Sequence, residues 1–285
     1  MADHLQKLGN SHIQHGPSSD RVYALELAPT DMPEILDEIE DLAQKHDYGK
    51  LVAKARESDF GAFMARGYKV EARIPEFFGE DEPGLFVGKY LDPERATEKE
   101  PEKVAEVLMT AQLERTLNGL KGEPEPVNTD AGPALEIREA LPEDAEAIAE
   151  CYQSVFESYP FPIHDPSHIR EAQEEGTRFF TVWEGQDLVA ASSMEPGGAT
   201  GTVEMTDFAT LPSHRGRGLA TKLLGIMDRH AKESGLRVAY TIARAVSFGM
   251  NITFARRSYQ YAGTLINNTQ IAGSIESMNI WYKAL

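Results

Sequence analysis

The chain has 285 residues, 28 basic and 46 acidic side chains for a net charge of −18, 41% hydrophobic residues and one cysteine, Cys151. That length suits two domains of ordinary size; the acidic balance excludes broad nucleic-acid binding, which needs a basic face to release counterions, and a lone thiol excludes an internal disulfide. The opening residues hold no apolar run of signal-peptide length, and no stretch reaches the ~18 apolar residues of a membrane span, so the expected setting is the cytoplasm with no membrane partner.

In chain order, VYALELA (22–28) predicts a strand and DMPEILDEIEDLAQKHD (31–47) a helix. KLVAKA (50–55) predicts a strand, FGAFMARG (60–67) a helix, and YKVEARI (68–74) and LFVGKYL (85–91) two strands. Two stretches rich in Pro and acid, 92–104 and 122–134, read as linkers around a helix at 104–120. This divides the chain into a small α/β domain over 1–92, a bridging segment over 93–134 and a larger domain over 135–285. The larger domain opens with a strand at 134–140, then a helix from Pro142 through CYQSVFES. A loop with three prolines, YPFPIHDP (159–166), precedes a helix at 167–176. Strands follow at 178–185, 187–196 and 202–211, a helix at 220–235, a strand at 237–245, a helix at 250–258, and two strands in the tail. The order β-α-α-β-β-β-α-β-α-β-β means an α/β sheet with helices on its faces. The smaller domain repeats the later half of that order, and FMARGYKVEA (63–72) aligns without gaps on FARRSYQYAG (254–263), matching Phe63, Arg66 and Tyr68 to Phe254, Arg257 and Tyr259. It reads as a degenerate half-copy, and without a counterpart of the RGRG stretch it is assigned no cofactor.

Arg215-Gly216-Arg217-Gly218-Leu219-Ala220 lies between a strand and an amphipathic helix. Glycines there allow close backbone approach and a sharp turn, and the helix N-terminus adds unpaired N–H donors and about half a positive charge. That is an anion site suited to a diphosphate. Neither the P-loop nor the dinucleotide glycine pattern is met.

The stretch fits R-x-x-G-x-A, and with its flanking elements the chain from about residue 135 resembles the GNAT acetyltransferase superfamily. The segments MTDFATLPSHRGRGLA, SYPFPIHDP and FGMNITFARRSYQYAGTLINNTQIAGSIESMNIWYKAL are most similar to the β-lysine N-acetyltransferases, a resemblance extending over nearly the whole chain. It implies a mixed, mostly antiparallel sheet with helices on both faces, acetyl-CoA as co-substrate, and direct acetyl transfer to the terminal amine of β-lysine, forming a compatible solute used in osmoadaptation. Another small amine or a protein lysine as acceptor stays open, as does a non-catalytic acetyl-CoA sensor.

Amine acetylation needs a base to deprotonate an ammonium and donors for an oxyanion. Glu204 and Asp207 are the acids on the strand before the loop; their spacing puts them on opposite faces of a regular strand, so a bulge decides which faces the acceptor. The family pattern, with its base eleven residues ahead of the motif, falls on Glu204. The resemblance further assigns oxyanion donors near Ala209, Thr210 and Leu211, pyrophosphate contacts to residues 215–220, and a contact with the CoA arm to Asn251. Phe254 stands where the family usually has a tyrosine that protonates the leaving thiolate, so Tyr259 or Tyr261 would have to substitute, or the thiolate leaves unassisted. The loop over 158–166 is expected to cover the acceptor, with Tyr159, Phe161, His164 and Asp165 as pocket residues, Glu157 and Glu276 as further acids and Arg244 as a carboxylate partner. No His/Cys spacing suggests a metal. The expected partner is a small-molecule amine, and a homodimer is left open.

Overall fold

The computed structural model describes residues 3–121, 135–159 and 161–285; the stretch 122–134, read as a linker, and Pro160 of the proline loop lie outside the described residues. The first half comprises β1 (His4–Leu8), β2 (Ser11–Gly16), β3 (Arg21–Glu26), α1 (Ile35–His46), β4 (Lys50–Arg56), α2 (Phe60–Ala65), β5 (Lys69–Gly79), β6 (Glu82–Tyr90) and α3 (Pro101–Lys121). Then come β7 (Leu135–Glu139), α4 (Ala145–Val155), α5 (Pro166–Glu174), β8 (Arg178–Glu184), β9 (Asp187–Pro196) and β10 (Thr202–Thr210). The chain ends with α6 (Leu219–Glu233), β11 (Val238–Arg244), α7 (Phe248–Arg256), β12 (Gln260–Ile271) and β13 (Ser274–Ala284). Each strand and helix expected over 135–285 is present, in the expected order. Among the described residues no helix is long and apolar enough to cross a membrane.

All strands join one sheet in the order β1-β2-β3-β4-β6-β5-β12-β13-β11-β10-β9-β8-β7. Only β3–β4 and β10–β11 pair in parallel, so the sheet is mixed and mostly antiparallel as expected. Read outward from the β5–β12 joint, the order is a palindrome. The strands β6, β4, β3, β2 and β1 answer β13, β11, β10, β9 and β8. The first half therefore copies more than the sequence suggested: the hairpin β1–β2 extends the repeat to six strands. That hairpin escaped prediction because HLQKL and SHIQHG are polar, and β1 is an exposed edge strand.

The aligned decapeptides share local geometry as well as sequence. Phe63 meets Tyr68 edge-on at 5.2 Å and Phe254 meets Tyr259 at 5.0 Å. Arg66 binds Asp37 on α1 at 2.9 Å, and Arg257 binds Asp228 on α6 at 3.2 Å. Both β5 and β12 carry a bulge at the matching place, Val70/Ala72 and Tyr261/Gly263. Following the register outward equates Lys69 with Gln260, Gly88 with Tyr282, Val52 with Tyr240, and Tyr23 with Glu204.

At the joint the backbone pairing is the single match Gly263↔Ala72. Gly263 has φ +151°, and a Cβ there would stand 2.0 Å from the Glu71 carbonyl, so a side chain would force the halves apart. Side chains do the rest. The Lys50 ammonium donates to both Glu71 oxygens and to the Ile266 carbonyl at 2.7 Å. Arg95 donates to the Asn267 carbonyl at 2.8 Å and pairs with Asp20 at 2.5 Å. Arg95 lies in the 92–104 stretch read as a linker; a short turn, Pro93–Ala96, instead buries it as an anchor. Between the halves, Phe77, Phe86, Tyr240, Leu265 and Met278 form a shared core. Helices α6 and α7 cover one face of the second half, and α4 and α5 the other.

Candidate active site

The parallel pairing of β10 with β11 runs only from Thr202↔Val238 to Glu204↔Tyr240, although both strands continue. The cause is local. A bulge between Thr206 and Ala209 places Asp207 in the left-handed region, φ +55°, and turns β10 away from β11. Leu211 N–H donates to Val189 O at 3.0 Å. Antiparallel pairs alternate between bonded and unbonded, so Ala209 also turns its amide toward β9 while Thr210 presents its amide to the gap.

Beyond β10 the chain makes a turn through Pro212–His214 and enters α6 at Gly218. Gly216 (φ +78°) and Gly218 (φ +71°) adopt conformations costly for other residues, and a Cβ on either would meet nothing within 4 Å. No side chain caps α6, so the amides of Leu219 and Ala220 in its first turn are free of intrahelical partners. Arg215 is exposed beside this turn. Arg217 is committed elsewhere, to Glu184 at 2.7 Å, which also holds His214 at 3.1 Å.

The splay opens into a cavity of about 670 Å³. The bulge resolves the facing question: Glu204 and Asp207 both line the cavity, with Glu195 of β9 beside them. Glu204 accepts from Tyr240 OH at 2.9 Å; Lys54 of β4 donates to that same hydroxyl at 2.9 Å and stands 3.9 Å from Glu204. Asp207 accepts from Tyr159 OH at 2.5 Å and Ser193 Oγ at 2.7 Å. Burial lifts the Glu204 carboxyl above its ordinary range against the pull of Lys54 and Tyr240. Burial and the neighbouring Asp207 and Glu204 charges push Glu195 much higher. Burial lowers the Lys54 ammonium, opposed mainly by Glu204. Three acids, one lysine and two tyrosines thus meet in a largely buried site. Among the described residues no cluster of His, Cys, Asp and Glu is arranged to hold a metal.

Residues 145–249 match the acetyltransferase (GNAT) family. The β-lysine N(6)-acetyltransferase of Methanococcus maripaludis is 34% identical over 97% of this chain and 97% of that protein. The chain belongs to the GNAT acetyltransferase family. The β-lysine N(6)-acetyltransferase of Methanosarcina mazei is 34% identical over 52% of this chain and 55% of its own length. The N-acetyltransferase YodP of Bacillus subtilis is 35% identical over 56% and 58%. The chain is therefore an N-acetyltransferase, and GNAT acetyltransferases use acetyl-CoA.

Several residues singled out by the GNAT pattern sit elsewhere than expected. Tyr259 is fully buried and donates to Asp228 at 2.8 Å, and Tyr261 bonds Thr264 at 2.6 Å; neither lines the cavity. Phe254 does line it, packed edge-on against Phe208. Asn251 is buried with its amide fully used: it donates to Arg244 O and Ser247 O and accepts from Asn279 and Trp281. It has no polar atom left for a CoA arm, and it ties β11 to β13 instead. Asp165 caps α5 by accepting from Ser167 N and Oγ. Arg244 and Glu276, named separately, pair with each other at 2.6 and 2.8 Å, with Arg244 at the cavity wall. Tyr159 and Phe161 line the cavity, whereas Glu157 and His164 border an adjoining one.

Glu195, Lys54 and Tyr240 were missed. Lys54 did leave a signal: KLVAKA is buried throughout, and a lysine in so apolar a strand needs a partner.

Proposed function

We propose that the enzyme moves the acetyl group of acetyl-CoA to the terminal amine of β-lysine by direct attack. The product is N-epsilon-acetyl-β-lysine, a zwitterionic compatible solute, and the reaction serves osmoadaptation in the cytoplasm. The observation that carries the reading is the convergence of Glu195, Glu204 and Asp207 on one cavity at the strand splay. An ammonium-bearing acceptor adds positive charge where Lys54 alone faces three acids, and the full-length likeness to a β-lysine acetyltransferase supports the particular acceptor.

The residues present fit acetyl-CoA. The uncapped N-terminus of α6 and the open space over Gly216 and Gly218 suit its diphosphate, Arg215 adds charge, and the gap beside Thr210 admits an extended arm. Acetyl-CoA supplies an already activated thioester. What remains for the protein is proton transfer, positioning and charge stabilisation. A lysine-type amine, with pKa near 10.4, is under ~0.1% deprotonated at neutral pH. Glu204 takes that proton, its basicity raised by burial, while Asp207 holds the ammonium in place and Glu195, pushed toward its neutral form, lines the site beside it. The Thr210 amide faces the developing oxyanion. The thiolate leaves without help from Phe254, Tyr259 or Tyr261, since Phe254 has no hydroxyl and neither tyrosine lines the cavity.

Purified protein with acetyl-CoA and a panel of β-lysine, lysine, ornithine and polyamines, followed by free-thiol release, tests the reading. Turnover with β-lysine in clear preference is expected. Preference for another acceptor would overturn the assignment of β-lysine, and CoA binding without any turnover would overturn catalysis.

A further inference from the structure

Part of the cavity wall is built by the first half of the chain and β12. Four polar atoms there are buried without a hydrogen-bond partner: Gln14 Nε2, Arg21 Nε, Tyr23 OH and Asn268 Oδ1. Their residues are 1%, 3%, 4% and 1% exposed, and all four line the cavity. An unmet buried polar group costs about 1–3 kcal/mol, so four on one wall are hard to explain as packing. Arg21 is the most telling. Its Nη1 donates to Asn268 O at 2.7 Å and Thr269 Oγ1 at 2.9 Å, and its Nη2 to Gln14 Oε1 at 3.2 Å. Every hydrogen-bond acceptor is neutral, and the Asp3 carboxylate, whose charge is felt by Arg21, forms no ion pair with it. Burial brings its pKa down to about 10, which leaves it charged at neutral pH.

We infer that this wall is a recognition site for the carboxylate end of an amino-acid acceptor, with Arg21 as its cation and Gln14, Tyr23 and Asn268 as its polar surround. Arg21 and Tyr23 share one face of β3, with the guanidinium 4.9 Å from the Tyr23 ring. Lys54 Nζ is 5.9 Å from that ring and reaches on to Tyr240 and Glu204. The cavity thus holds the Arg21 guanidinium on β3 as well as the acids Glu195, Glu204 and Asp207 on β9 and β10. An acceptor carrying a carboxylate for Arg21 and the reacting ammonium for the acids matches that set of groups. The first half of the chain, which lacks the glycine loop, then serves as the specificity half. The inference rests on the amine-acetyltransferase reading but not on β-lysine in particular.

The test compares each acid with its decarboxylated counterpart: β-lysine with pentane-1,4-diamine, lysine with pentane-1,5-diamine, ornithine with butane-1,4-diamine. For whichever acid the wild type uses best, kcat/KM is expected to exceed that of its diamine by about 10- to 100-fold, the range of a charge-assisted contact. Arg21→Gln brings that ratio near one, chiefly through KM of the acid. Tyr23→Phe removes only an unpaired hydroxyl, retains the fold, and lowers the ratio several-fold, so the test stands even where Arg21→Gln does not fold. If another acid replaces β-lysine but the ratio still depends on Arg21, the acceptor assignment falls and the carboxylate site holds. A wild type that prefers diamines, or folded variants that keep the full acid preference, overturns the site.

Discussion

Replacing Lys54 by methionine tests the proposed base, Glu204. Lys54 Nζ lies 3.9 Å from Glu204, with both side chains largely buried. At an effective dielectric of ~20, that separation corresponds to about 4 kcal/mol, or ~3 pH units on a neighbouring group. Two features reduce the figure. Burial draws Lys54 down and Glu204 up, moving both toward neutrality, and Tyr240 still donates to Glu204 in the variant. A rise of about 1–2 units in the Glu204 pKa is therefore expected. Glu204 acts as base only when ionised, so kcat/KM climbs with pH through its pKa. Loss of the cation raises that pKa, and the acidic limb of the profile moves to higher pH. The assay is thiol release at subsaturating acceptor across about pH 5–10, with Lys54→Arg as a control that restores the charge. An acidic limb that stays at the wild-type position in Lys54→Met, or full neutral-pH activity in Glu204→Gln, would falsify the assignment of Glu204 as base.

Other substitutions separate roles that the sequence ran together. Gly218→Val forces a β-branched residue into φ +71° at the start of α6 and crowds the diphosphate site. Acetyl-CoA affinity by calorimetry is expected to fall at least ~100-fold, while the circular dichroism spectrum persists and stability drops by about 1–2 kcal/mol. Tyr259→Phe leaves kcat within about twofold and costs about 1–2 kcal/mol in urea denaturation, because the hydroxyl serves Asp228; a large fall in kcat at unchanged stability would return Tyr259 to the chemistry. Lys50→Met leaves Glu71 buried beside the joint without its cation, and a loss of about 3–5 kcal/mol is expected.

The sequence made the second half legible because its elements are long, amphipathic and bounded by Gly and Pro. The glycine loop was legible for the same reason: Gly216 and Gly218 mark backbone geometry, and backbone geometry leaves a local signature. What escaped was contact across distance. Lys54 and Glu204 are 150 positions apart in sequence and meet only because the first half is brought against β10 and β11. The facing of Asp207 depended on a bulge that no residue pattern announced. Asn251, Asp165 and Tyr259 carry the right chemistry for a site, but hydrogen bonds to Trp281, Ser167 and Asp228 claim them for the scaffold. Arg95 shows the converse, since composition marked a linker where burial made an anchor.

The register equates Tyr23 with Glu204 across the joint. Two matching strand positions of one chain therefore line the same cavity, Glu204 proposed for the proton to be removed and Tyr23 for the far end of the acceptor. Under that proposal selectivity and rate rest on different strands: substitutions in β3 would change which amino acid is accepted while the acids of β10 stay in place.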